Sequence, residues 1–283
     1  MKKFLIYFAV ILITLGLLYL ATHIWILEQV HALPENNPAN CKSLEGKKRI
    51  LLVGDSITHG TVSFNYADLL QKRLGDDFEV INAGINSNLS HNVRRRMPEL
   101  LNCNADVITI LIGTNDVNST LHPEFLENYQ ENMGIHGTPN LAQYRENVNQ
   151  IVDEFQSRDG HTRIALISLP VIGENLDSEA NTKIQKYSQA LKEISNARGV
   201  VYLPLNEMLR EYLEGRATSE NQCDEPHTLI EESVAAHYLF GKDYNNISRS
   251  NGFFLVTDCL HLNETAGKIL ADLIVEFIES DHG

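Results

Sequence analysis

An alternation of short apolar runs with amphipathic segments constrains the fold of this chain more than any other feature. The apolar runs predict strands at 49–54, 78–82, 106–113, 163–169 and 200–203. Apolar residues at helical spacing predict helices over 64–74, 89–101, 141–156, 178–197 and 264–279. Buried strands that alternate with helices are typical of a parallel sheet covered on both faces, so the chain is predicted to be an α/β protein.

Two stretches interrupt this alternation. Residues 117–140 carry Asn, Pro, Gly and Tyr without a clear period, and residues 215–255 are long for a loop. The second stretch is predicted to contain a helix around 227–241. Tyr238 and Tyr244 are expected in core or lid packing, with the lining of an acyl or sugar pocket as the alternative. Long connections in compact domains are often functional lids, so both stretches are candidates for the rim of a cleft.

The amino terminus carries an uncharged run from Phe4 to Leu27, preceded by two lysines. A membrane-spanning helix needs about 20 apolar residues, whereas the apolar region of a cleaved signal peptide has about 7–15. The run therefore predicts a membrane anchor within residues 1–32 that contacts the membrane through residues 4–27. Trp25, near the end of the run, suits the membrane interface.

A cleaved signal peptide is the alternative, because the segment from Val30 to Ala32 has residues that suit a cleavage site. Under either interpretation the rest of the chain lies outside the cytoplasm, held at the periplasmic or cell-surface side of a membrane or secreted. Residues 33–48 are polar and are predicted to be a linker. Residues 49–283 suit a single α/β domain.

Charge and cysteine content exclude some partners. The formal net charge of −14 argues against nucleic acid, which needs clustered lysine and arginine. The one basic cluster, residues 94–96, is expected to be a solvated helix face. The four cysteines lie at positions 41, 103, 223 and 259 and permit three disulfide connectivities. Their spacing contains no CxxC pair, so no metal site is predicted.

Polar residues follow the ends of the first three predicted strands. The segments are Gly54-Asp55-Ser56, Asn82-Ala83-Gly84 and Gly113-Thr114-Asn115-Asp116. Parallel strands bring such segments to one edge of the sheet, where α/β proteins bind ligands. A serine hydroxyl there is a candidate nucleophile, and the Gly84 N–H and the Asn115 amide are the donors that an oxyanion hole requires. Each segment by itself is also ordinary turn chemistry.

Asp258 and His261 come directly before the last predicted helix. An acid three residues before a histidine reaches its ring from one turn of backbone, where it selects the tautomer and stabilises the imidazolium. Asp55 and Asp116 are interpreted first as turn or cap residues, with Asp116 as a possible substrate contact.

Taken in order, these four blocks resemble the GDSL or SGNH hydrolases over nearly all of residues 49–280. The resemblance implies a flavodoxin-like three-layer α/β/α sandwich with a parallel sheet, here preceded by one N-terminal transmembrane helix. It also implies a serine esterase or lipase that cleaves carboxylic esters without a cofactor. The implied site has Ser56 as nucleophile, His261 as general base and Asp258 as its orienting acid, with oxyanion donors from Ser56, Gly84 and Asn115.

The chain departs from the family pattern at Asn86-Ser87, where members tend to have Ser-Gly. Two other functions remain open: acyl transfer to an envelope carbohydrate with the same residues, and a non-catalytic binding domain that keeps the fold. The Gly-x-Ser-x-Gly, Gly-x-Gly-x-x-Gly and P-loop patterns are absent from the sequence, which disfavours α/β-hydrolase and nucleotide chemistry. The expected partner is an ester substrate on a glycan, a lipid or a small molecule.

Overall fold

The predicted strands form one parallel sheet in the computed structural model, which describes residues 2–41, 46–158, 162–216, 223 and 226–280. The strands are β1 Lys48–Gly54, β2 Phe78–Gly84, β3 Val107–Leu111, β4 Arg163–Ile167 and β5 Val201–Leu203. Their order in the sheet is β2-β1-β3-β4-β5. This is the flavodoxin-like order, so the predicted fold class is confirmed.

Helices cover both faces of the sheet. They are α1 Lys2–His31, α2 Ser56–His59, α3 Tyr66–Leu74, α4 Ser90–Arg95, α5 Met97–Leu101, α6 Thr114–Asn118, α7 Pro123–Met133, α8 Leu141–Gln156, α9 Glu179–Arg198, α10 Leu205–Leu213, α11 Pro226–Phe240, α12 Tyr244–Ser250 and α13 Glu264–Glu279. Helices α3, α13 and α10 pack side by side in one layer, and α4, α5, α8 and α9 pack in the other. Right-handed crossovers between parallel strands produce these two layers.

The register of the central strands brings three sequence motifs to one edge. β1 pairs in parallel with β2 and β3, and Gly54 stands opposite both Gly84 and Leu111. Every residue of β3 is buried, as expected for a strand with helices on both of its faces. The segments that follow β1, β2 and β3 therefore emerge together at the carboxyl edge of the sheet.

The structure corrects one helix prediction and adds one helix that was not predicted. The helix predicted over 89–101 is divided into α4 and α5 at Arg96, because Pro98 has no N–H to continue the hydrogen-bond ladder. Residues 117–140, which have no clear period, contain α7; Pro123 at its first position and Gly134 at its end are ordinary helix boundary signals. The helix predicted around 227–241 is present as α11.

The prediction of a solvated basic cluster at residues 94–96 is wrong for Arg96. Its side chain is half-buried, and its guanidinium donates to the carbonyl oxygens of Gly54 and Ala83 at the ends of β1 and β2. Burial lowers the pKa of the guanidinium to about 10. Arg94 is also half-buried and donates to Gln150 on α8 at 2.9 Å. This face of α4 therefore joins the sheet to α8.

The amino-terminal run forms one long apolar helix. The stretch Lys3–His31 of α1 has a mean hydropathy of 2.6 over its most apolar part, and that part is not buried inside the protein. Its length and composition suit a membrane span, and a signal sequence has the same properties.

The segment predicted as a linker contacts the sheet. Residues 38–40 form a short 3₁₀ helix, and the Asn36 side chain donates to Val80 O at 2.7 Å. Residues 42–45 of this segment lie outside the described residues, as do residues 217–222 and 224–225 of the predicted lid stretch and residues 159–161 and 281–283 of the predicted domain.

The four cysteines form two disulfides, and this selects one of the three possible connectivities. Cys41 pairs with Cys103, 62 residues away, and Cys223 pairs with Cys259, 36 residues away. The first bond fastens the segment that follows α1 to the loop between α5 and β3. The second fastens the segment before α11 to the loop that carries His261.

Replacement of both Cys41 and Cys103 by serine is expected to lower the free energy of unfolding by about 4 kcal/mol, because the bond closes a long loop in the unfolded chain. Urea unfolding of the full chain in mild detergent, followed by circular dichroism, measures the change. An unfolding midpoint equal to that of the wild type would contradict the pairing.

Candidate active site

The turn after β1 positions Ser56 at the carboxyl edge of the sheet. Asp55 caps α2, since its Oδ1 accepts the Ile57 N–H at 3.0 Å. Ser56 is the first residue of α2 and is 8% exposed. Its backbone N–H lies in the first turn of the helix, where N–H groups have no partner within the helix. The helix ends at Gly60 in the left-handed conformation.

Ser56, His261 and Asp258 form a continuous hydrogen-bonded chain. The Ser56 Oγ lies 2.9 Å from His261 Nε2, and His261 Nδ1 lies 3.0 and 2.9 Å from the two carboxylate oxygens of Asp258. Because a carboxylate only accepts, the proton of the neutral ring sits on Nδ1, and Nε2 is left to accept the Ser56 hydroxyl proton. The structure thus brings together three residues that the sequence separates by up to 205 positions.

Backbone N–H groups orient the Asp258 carboxylate. Its Oδ1 accepts the N–H of Leu260 at 3.2 Å and that of His261 at 3.0 Å. Cys259, between Asp258 and Leu260, has a φ of 80°, which is rare for a residue with a side chain. The Gly173 N–H donates to Cys259 O at 2.7 Å and helps to hold this conformation.

Glu174 fixes the segment that leads to Asp258. It is 2% exposed, and its carboxylate accepts the N–H groups of Phe254, Leu255 and Val256 at 2.6 to 3.1 Å. Burial raises the pKa of Glu174 above its ordinary value, against the lowering effect of these three donors. These three N–H groups are not used by the single antiparallel bridge of this segment, from Val256 to Leu262, so the carboxylate serves as their acceptor.

Helices α11 and α12 pack against the same segment. The Asn251 side chain donates to Thr257 O at 2.7 Å and to Ser233 Oγ at 3.2 Å.

Tyr238 and Tyr244 both donate through their hydroxyls to Thr61 O, at 2.8 and 3.1 Å. The two tyrosines therefore join α11 and α12 to the loop that follows α2.

Gly84 lies directly beneath α2. A Cβ at this position would come within 2.1 Å of the His59 backbone nitrogen, so only glycine permits β2 to approach the helix this closely. The Gly84 N–H donates to Asn82 Oδ1 at 2.9 Å. Use of this N–H as an oxyanion donor therefore requires it to be shared with Asn82 or released from it.

Asn115 is positioned by hydrogen bonds at both ends of its side-chain amide. Its Oδ1 accepts the Tyr129 hydroxyl at 2.5 Å, and its Nδ2 donates to Asn88 O at 2.9 Å. Tyr129 is in turn bound by Asn118 at 3.2 Å. These contacts orient the amide so that its second N–H is available for another acceptor.

Gly113 precedes α6 and has a φ of 132°. A Cβ here would meet the Tyr144 ring at 2.7 Å, and the Tyr144 hydroxyl donates to Ile112 O at 2.8 Å. The glycine therefore serves a close packing contact beside Asn115, in addition to its unusual backbone angle.

Both carboxylate oxygens of Asp116 are occupied by Ser90. Oδ2 accepts the Ser90 N–H at 2.8 Å and Oδ1 accepts its hydroxyl at 2.6 Å. Burial raises the Asp116 pKa to about 6. Asp116 also lines a cavity of about 270 Å³ together with His91 and Arg94. The contacts are those of a residue that joins α6 to α4.

Asp55 and His261, two titratable groups near Ser56, influence each other. Burial raises the pKa of Asp55 to about 7, and its Oδ2 has no hydrogen-bond partner among the described residues. Burial acts to lower the His261 pKa, but the charge and hydrogen bonds of Asp258 and the charge of Asp55 outweigh it, so the His261 pKa is raised above 6.5. Asp55 therefore acts on the histidine as well as capping α2.

Sequence reasoning missed Glu174 and Tyr129, and it treated Asp55 only as a cap. Glu174 lies in the loop after β4 and Tyr129 in a stretch without clear periodicity, so neither belongs to a recognisable motif. Among the described residues, no group of three or more His, Cys, Asp or Glu side chains is arranged to hold a metal ion.

Replacement of Glu174 by Gln is expected to lower the free energy of unfolding by roughly 2 kcal/mol, because the amide loses charge and directs an NH₂ at backbone donors. Turnover of an ester should fall with it, since the Asp258 segment loses its orientation. Thermal unfolding and kcat measure the two effects. Glu146→Gln, on the outer part of α8, is the control; equal effects of both variants would contradict the role of Glu174.

A family model described as the GDSL-like Lipase/Acylhydrolase family matches residues 52–264. A comparison with curated protein sequences found no significant match.

Solved structures with the same fold include three esterases or lipases. A catalytic mutant of an acetylxylan esterase from Geobacillus stearothermophilus has a TM-score of 0.59 at 16% identity, covering 84% of this chain and 96% of that chain. A lipase/acylhydrolase from Enterococcus faecalis has a TM-score of 0.55 at 21% identity, covering 82% and 96%. An acetyl xylan esterase named AlAXEase has a TM-score of 0.54 at 20% identity, covering 81% and 99%.

At such low identities the solved structures show the fold, whereas the family model covers most of the chain. The chain therefore belongs to the GDSL-like lipase/acylhydrolase family and is a carboxylic ester hydrolase of the GDSL type.

Proposed function

We propose that this protein is a membrane-anchored serine esterase that removes short acyl groups, O-acetyl groups among them, through an acyl-serine intermediate. The observation that carries the proposal is the hydrogen-bonded chain from Ser56 Oγ through the His261 ring to the Asp258 carboxylate. A nucleophile, a base within hydrogen-bond reach and a third group that orients the base are the parts that nucleophilic catalysis needs.

In this mechanism His261 Nε2 takes the Ser56 proton while Oγ attacks the ester carbonyl. The carbonyl oxygen becomes an oxyanion, and Asp258 stabilises the imidazolium that forms. His261 then gives the proton to the departing alkoxide, which leaves as an alcohol. A water molecule, deprotonated by the same nitrogen, attacks the acyl-serine and releases the carboxylic acid and the free Ser56 hydroxyl.

The oxyanion is proposed to be bound by the Ser56 N–H, the Asn115 side-chain amide and the Gly84 N–H. Loss of one such donor typically costs about 3 kcal/mol of transition-state stabilisation. Tyr129 supports Asn115 by fixing its oxygen, so that the amide presents an N–H. Gly84 contributes when its N–H is shared between Asn82 and the oxyanion.

Structural neighbours support these assignments. Catalytic mutants of the Geobacillus stearothermophilus acetylxylan esterase replace a serine, an aspartate and a histidine by alanine, and the last two are three positions apart. Asp258 and His261 have the same spacing. The names of these neighbours favour O-acetyl groups on carbohydrate as the substrate class. Because both carboxylate oxygens of Asp116 accept hydrogen bonds from Ser90, Asp116 is proposed to support α4, with substrate contact as the alternative.

We propose that α1 is retained as an anchor, with the domain on the outer side of the membrane. Thr61 Oγ donates to Val30 O at 2.7 Å, and the Asn86 amide donates to the same oxygen at 2.9 Å. His59 Nε2 lies 3.0 Å from Ala32 O. These three side chains use acceptors that a cleavage after Ala32 would remove from the domain or alter. Asn86 is also a position at which the chain departs from the family pattern.

Replacement of Ser56 by Ala is expected to abolish hydrolysis of an aryl acetate by the full chain in detergent, because Ser56 has the only hydroxyl among the described residues that is hydrogen-bonded to the His261 ring. Wild-type protein should also react with a fluorophosphonate probe at Ser56, as read by mass spectrometry of the labelled peptide. Ser157→Ala, at an exposed serine after α8, is the control. Full activity of the Ser56 variant would refute the nucleophile.

The acid limb of kcat/KM should have its midpoint above pH 6.5, because His261 acts as a base only when neutral and its pKa is raised. Asp55→Asn keeps the helix cap but removes a charge that raises this pKa, so the limb should move to lower pH. A pH profile of aryl acetate hydrolysis measures the shift. Asp68→Asn, at an exposed position on α3, should leave it unchanged; an unmoved limb in Asp55→Asn contradicts the coupling.

A further inference from the structure

One face of the last turns of α1 is covered by protein. Thr22, Ile26, Gln29 and Val30 are half-buried, whereas the residues between them are exposed. Their spacing of four, three and one positions defines a single helix face. Helix α11 packs against α1. The covered face reaches Thr22, inside the uncharged run that ends at Leu27, so protein lies alongside the apolar part of the helix.

The carboxyl end of α11 presents large apolar side chains beside this part of α1. The Tyr238 ring meets the Trp25 ring edge-on, with centroids 6.2 Å apart. Leu239 and Phe240 follow and are 44% and 74% exposed. Within the described part of the chain from residue 46 onward, no other large apolar side chain is exposed to the extent of Phe240. We call Leu239 and Phe240 the α11 tip.

We infer that the α11 tip lies in the lipid headgroup region of the membrane, next to Trp25. The inference rests on the proposed anchor, because Trp25 near the end of a membrane span marks the depth of the interface. An exposed apolar patch continuous with a membrane helix has lipid as its nearest apolar surroundings. Lys242 follows the tip and is exposed, and a cation beside apolar side chains suits an interface with lipid headgroups.

The tip is connected to both sides of the active site. Tyr238, directly before it, donates to Thr61 O in the loop that follows Ser56. Further back on α11, Ser233 lies at hydrogen-bond distance from Thr257 O, and Thr257 directly precedes Asp258. Membrane contact at the tip therefore holds the catalytic cleft close to the lipid surface. This geometry favours esters that are presented at that surface over esters dissolved in bulk water.

Depth-dependent quenching of tryptophan fluorescence tests the inference, because Trp25 is the single tryptophan of the chain. The full chain carrying Trp25→Phe and Phe240→Trp is reconstituted into liposomes whose lipids are brominated near the headgroup end of the acyl chains. The emission from position 240 should be strongly quenched. A control with Val201→Trp in the same background places the probe at an exposed site on β5, the strand at the other end of the sheet from β2. No quenching is expected there.

Wild-type protein in the same liposomes separates the possible failures. Quenching of Trp25 without quenching at position 240 would overturn the docking of the tip and leave the anchor intact. If neither is quenched, the anchor and the docking both fail. Fluorophosphonate labelling of Ser56 reports the esterase site independently of both results.

A second measurement follows the consequence for substrate. Phe240→Ser is expected to cause a several-fold loss of turnover for an acyl ester embedded in the liposomes, with little change for a water-soluble aryl acetate. Val201→Ser should change neither. A loss of equal size on both substrates, or no loss on the embedded ester, would overturn the link between the tip and the lipid surface.

Discussion

Parallel pairing of β1 with β2 on one side and β3 on the other is the constraint on which the site depends. Because Gly54 stands opposite both Gly84 and Leu111, the segments after the three strands emerge at one edge within a few ångströms of each other. The serine turn is then placed where the strand order reverses direction, which is where open α/β sheets bind ligands. Arg96 reinforces this edge by joining the carbonyl ends of β1 and β2.

Asp258 and His261 lie on an irregular segment outside the sheet. Side-chain hydrogen bonds, instead of a place in the sheet, fix the position of this segment. The Glu174 carboxylate accepts three backbone N–H groups, and the Ser248 hydroxyl donates to Val256 O. Asn263 donates to Phe254 O and also caps α13. The disulfide from Cys223 to Cys259 adds a covalent restraint. Unpaired backbone groups are costly when buried, so each of these side chains also stabilises the fold.

Burial and neighbouring charges together set the pKa values of the titratable groups around Ser56. Burial raises the pKa of Asp55 to about 7 and that of Asp116 to about 6, and each carboxylate is tied to the start of a helix. His261 keeps a raised pKa because Asp258 and Asp55 offset the cost of burying its charged form. In the proposed mechanism, an imidazolium that is stabilised in this way is suited to the charge that develops when Ser56 loses its proton.

The amino-acid sequence by itself determined the parallel α/β fold, the apolar amino-terminal helix and the residues of the candidate site, Ser56, Gly84, Asn115, Asp258 and His261. These follow from short-range patterns, namely apolar periodicity, glycine at strand ends and an acid three residues before a histidine. The division of the second helix at Arg96 was missed, although Pro98 signals it.

Only the tertiary structure decided the disulfide pairing, the support of Asn115 by Tyr129, the role of Glu174 and the contact between α1 and α11. Each of these joins residues that are distant in the sequence and belong to no common motif, so the local pattern carries no trace of them. Ser56 is an example of both. The turn after β1 identifies it as a candidate in the sequence, but its hydrogen bond to His261 forms only because the final loop meets the sheet at one edge.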